Sequence, residues 1–136
     1  MSDLIKVGIT HGDVNGVGYE ILLKTFSDAR ILELFHPIVY GSSKSASYHR
    51  KVLNSDTPNF HIISKVEESH EGKINLVNCI KEEIKIELGS ASTESGGAAY
   101  TALDVACQDL ANGKIDVLVT LPINKDSIQN DRFQFP

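Results

Sequence analysis

Three polar side chains, His11, Asp13 and Asn15, alternate with Gly12, Val14 and Gly16 in one short turn. Such side chains can hold a ligand by hydrogen bonds, and the N–H groups where a glycine-rich turn opens a helix favour an anion. Gly12, Gly16 and Gly18 remove Cβ atoms where the chain turns sharply or lets a ligand approach. A second polar crest, Leu121-Pro122-Ile123-Asn124-Lys125, follows the apolar residues 115–120. A lysine at a helix start opposes the helix dipole, so a ligand carboxylate or phosphate would account for Lys125. A flexible surface lysine is the alternative. The glycine order is G-x-x-x-G-x-G, neither the dinucleotide G-x-G-x-x-G nor a P-loop, so spacing names no ligand. An ordinary strand-to-helix connection has the same pattern. For His11 the choice lies between a place in the site and a place in the core.

Other chemistries find no support. There is no G-x-S-x-G, and the serines sit in turn and cap contexts, so no nucleophilic triad is legible. The five histidines form no H-x-x-x-H or similar pair, and no metal ligand is assigned. His36, His49, His61 and His70 are expected at the surface or supporting other groups. Cys79 and Cys107 follow no metal or redox spacing and are expected as reduced, buried thiols. A formal charge of −5 and a pI near 5.5, without a basic block, argue against a nucleic-acid surface. No apolar run approaches the ~18 residues of a membrane span, and no signal-peptide layout opens the chain. A cytoplasmic protein is expected. With 136 residues, 41% hydrophobic and 23% charged, the chain can fold as one domain with a real core.

The elements that would position the crests follow from periodicity. Residues 4–9 read as a buried strand feeding a helix from Tyr19, with Ile21, Leu22 and Phe26 on its inner face. Asp28 would cap a short helical segment over 29–35, and residues 37–41 form a second strand. Ser42 or Ser43 caps a helix over 44–53 whose apolar set is Tyr48, Val52 and Leu53. After a turn at 54–58, strands are expected at 60–63 and 74–79, separated by a charged loop over 65–72. Residues 81–88 alternate apolar and charged side chains, as an edge strand or hairpin arm does, with a short helix as the rival. A polar hinge over 89–97 leads, from a cap at Ser92 or Thr93, into the longest helix, up to a stop at Gly113. Residues 115–120 form a strand as apolar as the first. Strands alternating with helices give an α/β fold with a parallel-centred sheet flanked by helices. Ligands of such sheets collect beyond the carboxyl ends of the strands, where both crests lie. Asp13, Asn15, Asn124 and Lys125 are therefore expected to face one site.

Residues 9–20, I-T-H-G-D-V-N-G-V-G-Y-E, resemble the signature I-T-x-G-D-x-x-G-[IV]-G-x-E of the 4-hydroxythreonine-4-phosphate dehydrogenase family of pyridoxal phosphate biosynthesis. Residues 93–110, and then 113–125 through Asp116, Thr120, Pro122 and Lys125, are similar to that family's S-x-x-x-G-x-x-A helix and D-[AG]-[LIV]-V-T-x-P-[IV]-x-K strand and loop. The family often has prolines where this chain has His11, Val14 and Tyr19, and a glycine at Leu121; between residues 24 and 90 little is recognisable.

The resemblance implies an isocitrate/isopropylmalate-dehydrogenase-like fold, incomplete here. Residues 1–136 would be the N-terminal α/β portion of a longer dehydrogenase, with no internal boundary. It implies NAD-dependent, divalent-metal-assisted oxidation of 4-phosphohydroxy-L-threonine, followed by decarboxylation. Lys125 would be catalytic, and Gly12, Asp13, Asn15 and Asn124 would bind this phosphorylated hydroxy amino acid. The metal (Zn, Mg, Mn or Co) would be held by three histidines beyond this segment, across a homodimer, and most of the NAD site would lie there too. Relatives acting on erythronate or threonate phosphates make those sugar acids the alternative substrates. From the residues alone, a small anion-binding α/β module or a non-catalytic assembly piece remain rivals. The end at residues 131–136, with two aromatics and a proline, reads as a chain cut in mid-fold.

Overall fold

A computed structural model describes residues 4–53, 58–80, 86 and 92–123. Strand β1 (Lys6–Thr10) leads into helix α1 (Gly18–Thr25), a short 3-10 segment (Ala29–Glu33) and strand β2 (His36–Gly41). Helix α2 (Ser43–Leu53), strand β3 (Phe60–Ile63) and strand β4 (Ile74–Asn78) follow, then helix α3 (Thr93–Ala111) and strand β5 (Val117–Thr120). The strands form one sheet in the order β3-β4-β2-β1-β5, and every pairing is parallel. The fold is α/β with a parallel sheet, as the alternation of elements required.

The pleat sorts the core into two layers. Ile9, Val39 and Leu76 point to the face covered by α1 and α2, where they meet Val14, Tyr19 and Leu22. Ile38, Tyr40 and Val77 point to the other face, against Ala102 and Ala106 of α3. Small alanines let α3 lie close on the strands, and Tyr40 donates a hydrogen bond to Asp109 Oδ2 at 2.7 Å. The chain leaves β1 towards β2 on one flank and returns through α3 to β5 on the other. The strand order thus reverses between β1 and β5, the place where ligands of open α/β sheets collect.

Several local expectations hold at the residue. Asp28 caps the 3-10 segment by accepting from Arg30 N, and Ser42 Oγ accepts from Ser45 N at the start of α2. Ser92 caps α3, and Gly113 (φ 73°) ends it in the left-handed region. Others need correction. The inner stripe of α1 is Tyr19, Leu22 and Leu23, continued by Phe26, whereas Ile21 is 38% exposed. Positions 19, 22, 23 and 26 form one stripe at helical spacing; position 21 turns away from it. Helix α2 buries Ser45, Ala46 and His49 and exposes Tyr48 and Val52, because it packs beside α1 over a polar contact. Strand β5 lies at the edge of the described sheet, with Val117 and Val119 turned largely to solvent. Cys107, expected as a buried thiol, is exposed, whereas His36 and His49 take the supporting rather than the surface place of the two expected, buried against Ser69 and Val14.

The alternating stretch 81–88, apart from Ile86, lies outside the described residues, as do residues 54–57, 89–91 and the end at 131–136. Among the described residues no helix is long and apolar enough to cross a membrane.

Candidate functional site

Strands β1 and β5 run side by side with Thr10 level with Thr120, so the two crests leave the sheet together. Leu121 N donates to Thr10 O at 3.2 Å, and Asp13 N donates to Pro122 O at 2.9 Å. Gly12 lies at φ 69°, and a Cβ there would collide with the Pro122 carbonyl. A Cβ on Gly18 would collide with the His11 carbonyl. The missing side chains at these two glycines thus let the chain pack on itself, which accounts for them without a ligand.

Within the first crest, Asp13 Oδ1 accepts from Asn15 N at 3.0 Å and Asp13 O accepts from Gly16 N at 2.9 Å. Asp13 is half-buried and Asn15 is buried at the base of the turn. The structure brings Gly12 and Asp13 against Leu121 and Pro122, so the two crests are adjacent, while Asn15 lines the neighbouring groove. Asn124 and Lys125 lie outside the described residues.

His11 takes a core position. Its Nε2 lies 3.1 Å from Ala98 O and its Nδ1 lies 2.7 Å from Tyr19 Oη. A carbonyl only accepts, so Nε2 carries the proton and Nδ1 accepts from the Tyr19 hydroxyl. That hydroxyl in turn accepts from Ser42 N at 2.9 Å. Burial lowers the His11 pKa to about 4, against the opposing pull of the Ala98 carbonyl, and His49 adds a smaller downward push. Burial likewise raises the Tyr19 phenol, so both groups are neutral at pH 7. His49 stacks on Tyr19 with ring centroids 5.2 Å apart and donates from Nε2 to Val14 O at 2.8 Å. Its pKa is also lowered, first by burial. An uncharged ladder of three rings therefore underlies the crest.

Sequence reasoning missed Tyr19 and Ser42 as supports of the site and left His49 between the surface and a supporting place, of which it takes the second. The available signal was faint: Gly41 closes β2, and a Cβ there would sit 2.5 Å from Tyr19 Oη and 3.0 Å from His11 Nδ1.

Beside the crest, a groove of about 300 Å³ runs between Asn15, Val17 and Glu20 of the first βα unit and His49, Val52 and Leu53 of α2. A larger hollow of about 480 Å³, lined by Phe26, Leu32, Phe60, His61 and Lys73, opens at the amino ends of β3 and β4. Among the described residues no group of three His, Cys, Asp or Glu side chains is placed to hold a metal ion. The donor set here therefore does not fit a metal centre. The crest glycines face their own backbone, so the described turn does not form a dinucleotide cradle.

The family model of the pyridoxal phosphate biosynthetic protein PdxA matches residues 33–136. A 4-hydroxythreonine-4-phosphate dehydrogenase of Bacteroides thetaiotaomicron is 49% identical over 132 residues, covering 97% of this chain and 36% of the relative. A putative D-threonate 4-phosphate dehydrogenase of Oceanobacillus iheyensis is 35% identical over 139 residues, covering 100% of this chain and 42% of the relative. The crystal structure of a 4-hydroxythreonine-4-phosphate dehydrogenase from Burkholderia phymatum superimposes with a TM-score of 0.84 at 27% identity, over 93% of this chain and 39% of that one. The chain thus spans about two fifths of the length of these relatives. With 104 of its 136 residues inside the family model and the parallel sheet matching a solved member, this chain belongs to the PdxA family.

Proposed function

We propose that this chain is the N-terminal α/β portion of a dehydrogenase that oxidises 4-phosphohydroxy-L-threonine in pyridoxal phosphate biosynthesis. In the full-length protein the reaction would be NAD-dependent and assisted by a divalent metal, with decarboxylation following. The observation that carries this reading is the 49% identity to the Bacteroides thetaiotaomicron enzyme along 97% of the chain. A homodimer in the cytoplasm belongs to the same reading.

The roles assigned here are those of the chain's own groups. Gly12, Asp13 and Asn15, together with Asn124, would bind and orient the substrate beyond the carboxyl ends of β1 and β5. Asp13 adds negative charge to this crest, so a phosphorylated acid needs a cation nearby. Lys125 supplies it, as an electrostatic or proton-transfer partner of the hydroxyl being oxidised.

The test is NADH formation by the full-length gene product with 4-phosphohydroxythreonine and a divalent metal. Lys125→Ala should lower kcat about 100-fold, the usual scale of a positioned acid–base group. Unchanged turnover and affinity would remove Lys125 from the site. The 35% identical relative favours a second reading, oxidation of D-threonate 4-phosphate. The larger kcat/KM of the two substrates decides between them.

A further inference from the structure

The crest is fixed from beneath by groups no ligand need touch. His11 reaches the start of α3 at Ala98, Tyr19 reaches the start of α2 at Ser42, and His49 reaches the crest itself at Val14. These three rings join the first crest to the amino-terminal parts of α2 and α3. The Tyr19 hydroxyl is the hub, donating to His11 Nδ1 and accepting from Ser42 N. Gly41 leaves just the room this hub needs. Without the hydroxyl, the buried Ser42 N–H and His11 Nδ1 lose this partner, and the loops they tie can separate.

We infer that Tyr19 is a positioning residue: its hydroxyl, through His11 and Ser42, holds residues 12–16 in the shape that receives the substrate. The substrate part of this inference rests on the proposed function; the part about crest order does not.

The experiment compares Tyr19→Phe with Tyr40→Phe. Both delete one buried tyrosine hydroxyl, but Tyr40 donates to Asp109 on the opposite face of the sheet, away from the crest. Amide hydrogen exchange, KM and kcat are all measured on the full-length gene product. In Tyr19→Phe the amides of residues 12–16 should exchange about tenfold faster relative to those of β4. KM for the phosphorylated substrate should rise about tenfold with kcat nearly unchanged, as loss of one well-placed hydrogen bond predicts. Tyr40→Phe should lower stability yet leave both ratios unmoved. Gly41→Ala, which crowds the same hub from the other side, should reproduce the Tyr19→Phe pattern. If Tyr19→Phe lowers the melting temperature while crest exchange keeps pace with β4, the inference is overturned. If the wild-type protein oxidises no phosphorylated hydroxy acid, the proposed function falls, and the exchange ratio alone still decides the positioning role.

Discussion

Each end of the sheet buries a histidine, one beneath the crest and one beneath the opposite loops. At the carboxyl end both nitrogens of His11 are matched, to Tyr19 and Ala98, and its neighbours fix the backbone at residues 14 and 42. At the amino end His36 meets Ser69 Oγ through Nε2 at 2.9 Å, while its buried Nδ1 has no hydrogen-bond partner among the described residues. The loop there is pinned instead by Asn75, whose side chain accepts from His70 N and donates to Pro37 O. An unmatched buried polar atom costs about 1–3 kcal/mol. The amino end has both this atom and the larger hollow, whereas the smaller groove is lined by His49 of the ladder, in which both His11 nitrogens are matched. Polar precision, more than cavity size, marks the end of the sheet where chemistry is to be sought.

The largest expected difference is between two glycines of positive φ. Gly12 and Gly72 lie at 69° and 78°, but a Cβ on Gly12 strikes backbone while one on Gly72 meets nothing within 4 Å. Gly12→Ala should cost about 4 kcal/mol, strain and overlap together, and Gly72→Ala about 1 kcal/mol, strain alone. Urea unfolding of the two variants checks this, and equal losses would erase the contrast.

Next come the histidines themselves. His11→Leu should cost about 3 kcal/mol, because the Tyr19 hydroxyl and the Ala98 carbonyl lose their partner inside the core. His36→Leu should cost less than about 1 kcal/mol, since it also removes an unmatched atom. A larger loss at His36 than at His11 would reverse the comparison.

The smallest of these effects is in pH. The folded His11 pKa, about 4, lies below the ordinary value of 6.5. The unfolded chain therefore takes up this proton first as pH falls, and the stability is intact above about 6.5 and lost progressively down to about 4. Between pH 7 and 5 the loss from His11 should be about 2 kcal/mol. His36 and His49, also held low chiefly by burial, add losses of the same sign. Denaturant unfolding of His11→Gln should show a flatter dependence over this window; an unchanged slope would place the titration elsewhere.

Much of the fold was legible because its elements are locally encoded. Residues 60–63 read as a strand and form β3, and Ser92 read as a cap and accepts from Ser95 N. Both follow from neighbours within four residues. Ile21 and Tyr48 were misread for the complementary reason: each is apolar, and only the partner helix decides which stripe is covered. For the site, adjacency of the two crests was legible from the rule that ligands gather at strand carboxyl ends, and the Asp13–Pro122 hydrogen bond realises it. The supports were not, since Ser42 and Ala98 are joined to the first crest through side chains that their own sequence surroundings do not single out.

By itself the sequence determined the order and kind of the described strands and α-helices, the placing of both crests at strand ends and the family. Periods of two and 3.6 residues, with glycine and proline between them, are written in consecutive positions. Tertiary structure alone decided that His11 is a core group, that α2 buries a histidine, and that β5 lies at an edge. Those outcomes depend on pairings such as His11 with Ala98, 87 residues apart, and a hydrogen bond of that span exists only once the sheet has brought its ends together.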